Sequence, residues 1–396
     1  MKKAMRWSVL FAGILVGWAS AAEPVTDVAA DYFQAGAFTL QAGVAASFVE
    51  NQDESEICPG FMFGLLQMQY TTPERAGLQF GAWWLGAKNI WQNHPDDYDT
   101  IYTQDSDLRE LYAKWNTPFT KSSIQAGRFR MKMTGLDGNS HQGAEVINQD
   151  IPHLTLRAAV IDRWINNDRV DMFYKGITGW VDANDVREGS GREYWLGSAA
   201  FDWNKQAGIT PFIGYQEDVM AMYGADLYVA HKLDEERTVG MNATMVVYGN
   251  ETPHEVQPDY DDVFSWLVHS YVTLNTNLML GLGWYGVSDD RGNIAAGLFD
   301  TFDPLEEDRT IPYNDQNNAQ LYYADATWSF DPFDFTLVYG YGVNDAIGVR
   351  SHEVDAVLSV ELTESLQAKA FATYNTYSGD EVSDYTKMGL SLIYTY

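Results

Sequence analysis

Apolar and polar positions alternate with a period of two along almost the whole chain after residue 35, the signature of β-strands that turn one face to an apolar medium. Leu278, Leu280, Leu282 and Trp284 alternate with Met279, Gly281, Gly283 and Tyr285; Val239, Met241, Ala243, Met245 and Val247 alternate with Thr238, Gly240, Asn242 and Thr244. At the end of the chain Met388, Leu390, Leu392, Tyr394 and Tyr396 share one parity, and Gly389, Ser391 and Thr395 the other. Such segments predict strands over 36–48, 60–70, 77–88, 108–117, 122–131, 153–164, 169–181, 192–204, 208–218, 221–232, 236–249, 263–274, 278–288, 319–330, 333–343, 350–362, 365–377 and 385–396. That is eighteen, or sixteen if the weakly separated pair within 208–232 is counted differently.

The links support eighteen. Every second one is short: 71–75, 117–121, 165–168, 204–207, 233–235, 275–277, 331–332 and 363–364. The alternate set contains the long ones, 89–107, 132–152, 250–262 and 289–318. Short turns at one end and long loops at the other describe an all-β, antiparallel up-and-down transmembrane β-barrel inserted from the periplasmic side. A soluble sandwich would show neither this alternation of link lengths nor a terminal aromatic strand.

The ends fix the compartment. Lys2, Lys3 and Arg6 precede an apolar run from Val9 to Trp18 and the small residues Ala19 to Ala22, the layout of a signal peptide over 1–22. A periplasmic segment over 23–35 and the barrel over 36–396 follow. After Ala22 no apolar stretch reaches the ~20 residues of a spanning helix. The closing strand with its aromatic terminus resembles that of Gram-negative outer-membrane barrels, in which Tyr394 and Tyr396 would form the assembly signal read by the barrel-assembly machinery.

Composition agrees. Aromatics make up 14% of the chain, with 13 Trp and 24 Tyr, amphipathic rings that suit the headgroup girdles of a barrel. The single cysteine, Cys58, has no internal partner. Removing Lys2, Lys3 and Arg6 takes the formal charge from −30 to −33, which excludes nucleic acid as a partner. The acids cluster at Asp96, Asp97, Asp99, Asp105 and Asp107, at Glu251 to Asp262, and at Asp300 to Asp308. Surface acids of this kind suit contacts to lipopolysaccharide through divalent cations.

With apolar side chains outside, the opposite parity names the lumen. One wall is mostly basic: Lys114, Arg128, Arg130, Arg157, Arg163 and Lys175, beside Glu110, Tyr112, Thr155 and Asp171. The facing wall is mostly acidic: Asp325, Asp334, Glu353 and Asp355, with Ser359 and Glu361. Opposed charges across a narrow aqueous lumen make a transverse field that orients a charged or dipolar solute.

Glu110-Leu-Tyr-Ala-Lys-Trp115, Ile124-Gln-Ala-Gly-Arg128, Gln142-Gly-Ala-Glu145 and Asp150-Ile-Pro-His-Leu-Thr-Leu156 resemble the outer-membrane porin D (OprD-type) family of specific porins. That resemblance implies eighteen strands, an inward-folded constriction loop over 132–152 with Gly135, Asp137, Gly138, Gln142, Gly143 and Glu145, and a basic ladder guiding carboxylate-bearing solutes. Arg128, Arg130, Arg157 and Arg163, with Lys114, are the ladder candidates.

Two rivals remain in play. A gated carbohydrate channel or acidic-polysaccharide exporter would use lumen aromatics, of which Tyr112, Tyr285 and Tyr323 are a thin set. A barrel lipase or protease would need an activated nucleophile, yet the seven histidines are scattered and join no recognisable Ser/His spacing. No catalysis, cofactor or metal centre is expected. The solute would be a small molecule, and the barrel a monomer or homotrimer.

Overall fold

The computed structural model describes residues 36–51, 60–92, 106–131, 133, 136, 140–165, 180–182, 193–216, 220–250, 262–288, 318–345, 348–378 and 384–396. They form β1 (Ala37–Asn51), β2 (Gly60–Thr71), β3 (Leu78–Gln92), β4 (Ser106–Asn116), β5 (Ser122–Arg130), β6 (Ser140–Asn148), β7 (Leu154–Ile165), β8 (Trp180–Asp182), β9 (Tyr194–Trp203) and β10 (Ala207–Gln216). β11 (Met220–Lys232), β12 (Thr238–Asn250), β13 (Val263–Asn275), β14 (Leu278–Val287), β15 (Ala319–Phe330), β16 (Phe333–Asn344), β17 (Val349–Thr363), β18 (Leu366–Ser378) and β19 (Tyr385–Thr395) complete the order.

Among the described residues β8 has three residues and pairs with the end of β7, and the other strands are eighteen. Each pairs antiparallel with its neighbours in sequence, with β7 pairing directly to β9. β19 pairs with β1 from Gln41↔Thr395 to Asn51↔Tyr385, so the cylinder is closed.

In most strands one parity points out and is apolar. Leu280, Leu282 and Trp284 are 39%, 69% and 42% exposed, while Tyr285 and Val287 of the other parity are buried. The same holds for Met388, Leu390, Leu392 and Tyr394, all exposed. So much outward apolar surface is stable only against lipid. Outward aromatics gather near the strand ends, for example Trp328 against Phe330 at 4.9 Å and Trp266 against Trp284 at 5.2 Å.

The short turns are built by side chains that hold the backbone. Between β2 and β3, Ala76 and Gly77 both take positive φ, and Arg75 and Leu78 exchange backbone hydrogen bonds, the two-residue hairpin geometry that matches strand twist. A Cβ on Gly77 would lie 2.0 Å from the Asn116 carbonyl oxygen. Between β11 and β12, Asp234 accepts hydrogen bonds from the backbone of Glu236 and Arg237 and from the Arg237 guanidinium. The Arg237 hydrogen bond holds the Asp234 carboxyl below the usual aspartate range. The turn bonds are therefore intact at neutral pH and are lost only as pH falls through that lowered value. A carbon-13 NMR titration should show an Asp234 midpoint below that of an ordinary aspartate, and Arg237→Ala should raise it part of the way back, because the backbone donors of residues 236 and 237 remain.

The count of eighteen holds, but one strand is exchanged. Within the 132–152 loop expected from sequence, residues 140–148 form β6, so Gln142, Gly143 and Glu145 are strand residues. Gly143 is glycine because a Cβ there would meet the Val160 carbonyl oxygen at 2.0 Å, a close approach between strands rather than freedom for an inward turn. The short turn is 149–153, where Asp150 accepts from the Lys121 backbone at 2.7 Å, not 165–168. Of the 169–181 strand, Trp180 and Val181 lie in β8, and 169–179, with Asp171 and Lys175, lies outside the described residues. So do the 1–22 and 23–35 segments, Cys58, Gly135, Asp137, Gly138, and the acidic stretches at 96–105, 251–261 and 300–308.

The link between β5 and β6 nonetheless turns inward. Its described residues Met131, Met133 and Leu136 are buried and belong to one apolar cluster with Phe129, Ile161, Tyr194, Met222, Tyr248, Tyr285 and Leu321. That cluster covers the inner face of the long-loop half of the barrel from β5 round to β16.

Candidate functional site

Inner-face positions of the short-turn half are polar, and they carry the charges that parity assigned. Lys114 stands in register with Gln79 on β3 and Gln125 on β5. Gln125 stands opposite Glu145 on β6, and Glu145 opposite Ala159 on β7. One step nearer the turns, Arg157 donates to Glu145 Oε1 at 3.2 Å, with the carboxylate 5% and the arginine 28% exposed. Sequence reasoning assigned Glu145 to a loop and so did not pair it with Arg157.

Beyond Gly127, which takes φ of 119°, the simple alternation ends. Arg128 donates through Nε to Gln142 at 3.0 Å and through Nη1 to the Leu108 carbonyl at 3.5 Å. Gln142 in turn donates to Asp162, whose carboxylate lies 3.8 Å from Arg163. Arg130 lies 4.0 Å from Glu110 and places its guanidinium 4.4 Å from the centre of the Trp83 ring. Trp83 donates to Gln67 at 3.0 Å, Gln67 bonds Gln41, and Gln41 donates to Thr395 at 3.1 Å. A belt of side-chain hydrogen bonds thus crosses β3, β2, β1 and β19, starting at the arginine.

The facing wall is acidic, and wider than the sequence indicated. Asp325 Oδ1 is 2.7 Å from His269 Nε2. The imidazole stacks between Tyr271 and Tyr323 at 6.1 and 5.7 Å. All of them lie flat because β14 offers glycine beneath: a Cβ on Gly281 would meet Asp325 and His269 at 2.2 Å, and one on Gly283 the Tyr323 ring. Asp226 accepts from the Thr244 hydroxyl at 2.7 Å, and the Tyr228 hydroxyl bonds Asp202. Asp334 is exposed on the same inner parity as Val338. Glu353 and Asp355 are each 1% exposed and stand opposite Asn375 and Thr373.

Asp202, Asp226 and His269 were missed from sequence. Their inward parity was legible, since each lies one residue from an outward apolar neighbour, but their partners come from other strands and needed the register.

Removing Arg157 takes the 3.2 Å cationic donor from a nearly buried carboxylate. Arg157→Met should cost about 1–3 kcal/mol, and more at alkaline than at acid pH, because protonating Glu145 relieves it. Denaturant unfolding of the variant in detergent at two pH values measures this.

No protein-family model and no curated protein matches the chain. Solved structures do. OccK9 (OpdG) of Pseudomonas aeruginosa superposes with a TM-score of 0.75 at 12% identity over 92% of this chain and 99% of that one. The fold is that of the Occ/OprD porins. OpdK of Pseudomonas aeruginosa, solved with vanillate, gives 0.70 at 13% identity over 91% and 98%. OccD1 (OprD), also from Pseudomonas, gives 0.66 at 10% over 91% and 95%. The porin fold thus extends over almost the whole chain and over almost the whole of each of these proteins.

Proposed function

We propose that the chain is an outer-membrane porin of a Gram-negative cell, a passive pore for small hydrophilic, charged solutes. The observation that carries this is the closed cylinder with lipid-type side chains outside and charged, solvent-reached side chains inside. A solute enters the polar half-lumen, is oriented by the β4–β7 and β9–β17 walls, and is held weakly enough to leave, since tight binding would stop flux. The buried link residues Met131, Met133 and Leu136 set the width on the loop side. Cleavage of 1–22, contact with lipopolysaccharide through divalent cations, and a monomeric or trimeric state belong to the same proposal.

Carboxylate-bearing solutes would use Lys114 and Arg157, and OpdK, of the same fold, was solved with vanillate. A sugar channel has less in its favour, because Tyr285 and Tyr323 are buried and present no open ring face. Liposomes containing the purified protein should swell in small charged and neutral solutes and not in large oligosaccharides. Swelling no faster than in empty liposomes would refute the pore.

A further inference from the structure

Among the described residues the outward face of β13–β18 carries one formally charged side chain, Arg350. In a chain of net charge −30 that charge is a cation. Arg350 is exposed at the second residue of β17, on the loop side of the barrel. An outward arginine there lies level with lipid headgroups, where it costs far less than at the bilayer mid-plane. No described carboxylate pairs with it. The arginines on the outward parity of β5 and β7 differ, since Arg128 donates to Gln142 and to the Leu108 carbonyl and Arg163 stands beside Asp162.

One step towards the turns the same face is aromatic. His352, Tyr341, Tyr322 and Trp284 stand in one register line across β17, β16, β15 and β14. The His352 ring lies 4.9 Å from that of Tyr341, and Trp284 stacks on Tyr322 at 6.3 Å with the planes 2° apart. A hydrogen bond fixes each end of the row: the Tyr339 hydroxyl is 2.8 Å from His352 Nδ1, and Trp284 donates to Gln320 at 2.7 Å. When the tyrosine donates to Nδ1, the imidazole carries its proton on Nε2, a second donor two residues from the guanidinium. A headgroup girdle requires only amphipathic rings. A guanidinium and an imidazole donor at its rim add the chemistry that holds a phosphate.

We propose that this face binds one molecule of the outer-leaflet glycolipid, lipopolysaccharide, with a lipid A phosphate held by Arg350 and His352 and its glucosamine laid against the ring row. This rests on the outer-membrane reading above. It is separate from bridging through divalent cations, which would engage acids rather than an arginine. Charge complementarity selects the occupant, because the loop side meets the leaflet whose phosphate is carried on a sugar, and a sugar ring packs on aromatic faces while its phosphate takes the donors at their edge.

The test is native mass spectrometry of the full mature chain in detergent, titrated with bisphosphorylated lipid A and, separately, with lipid A stripped of phosphate and with phosphatidylglycerol. The first lipid A should bind about tenfold more tightly than either comparison lipid, the effect of one charge-assisted phosphate contact. Arg350→Gln should remove that preference and Arg350→Lys should restore part of it. Where Arg350→Gln yields no folded barrel, His352→Phe, which keeps a ring in the row, serves in its place and should weaken lipid A binding in the same direction. Conductance in planar bilayers should be the same for all of them, because these side chains face away from the lumen. Equal affinity for the three lipids, unchanged lipid A binding in Arg350→Gln, or association of the chain with itself in place of lipid at this face would overturn the proposal while leaving the pore intact. Lipid A binding of the expected pattern in a protein without conductance would support the lipid site and overturn the pore alone.

Discussion

Leu282→Arg should fail to give a stable barrel, whereas Thr327→Arg should be tolerated. Leu282 is the most exposed apolar residue of β14, at 69%, and it points outward between Leu280 and Trp284. A guanidinium there must enter hydrocarbon, at about 2–4 kcal/mol near the mid-plane. Thr327 is on the inner parity of β15, two residues from Asp325, where an arginine remains in water and gains carboxylate neighbours. The measurement is the fraction of refolded, heat-modifiable barrel in lipid vesicles, with equilibrium unfolding for what folds. Equal losses for the two variants would mean that the two faces do not meet different solvents.

Gly143→Val should separate β6 from β7. The new Cβ would sit 2.0 Å from the Val160 carbonyl oxygen and 3.1 Å from the Ile161 Cα, and backbone, unlike a flexible side chain, cannot rotate away. Relief requires the strands to part, which breaks ladder hydrogen bonds and loosens the Glu145–Arg157 pair one step below. Overpacking of this kind costs about 1–3 kcal/mol or more. Ala144→Val on the outward parity adds similar volume into lipid and should change stability little. Unfolding midpoints for both variants decide the matter, and a stable Gly143→Val would show that the β6–β7 register is wrong.

Much of this architecture was legible from alternation and link lengths, because a barrel imposes one pattern on every strand. The exchange of one strand has a physical cause. In β6 the inner positions are His141, Gly143 and Glu145 and the outward ones include Gln142 and Ala144, so little apolar contrast remains and the segment reads as a glycine-rich loop. Parity placed Lys114, Arg157 and Asp325 on the face where the structure has them, whereas Arg128 and Arg163, expected inward, stand opposite outward Leu111 and Gln142. Charge partners were not legible, since His269 and Asp325 are 56 residues apart and meet only once β13, β14 and β15 are in register. The Trp83–Gln67–Gln41–Thr395 belt likewise depends on closure of β19 onto β1, which no local pattern encodes.

Spin labels placed one at a time at Ala324, Asp325, Ala326, Thr327 and Trp328 of β15, in lipid bilayers, test the central claim most directly. Labels at 324, 326 and 328 should collide with dissolved oxygen and not with a water-soluble nickel chelate, and labels at 325 and 327 should show the reverse. Uniform accessibility along the strand, or a lumen-facing pair closed to the chelate, would contradict a hydrated pore enclosed by a lipid-facing wall.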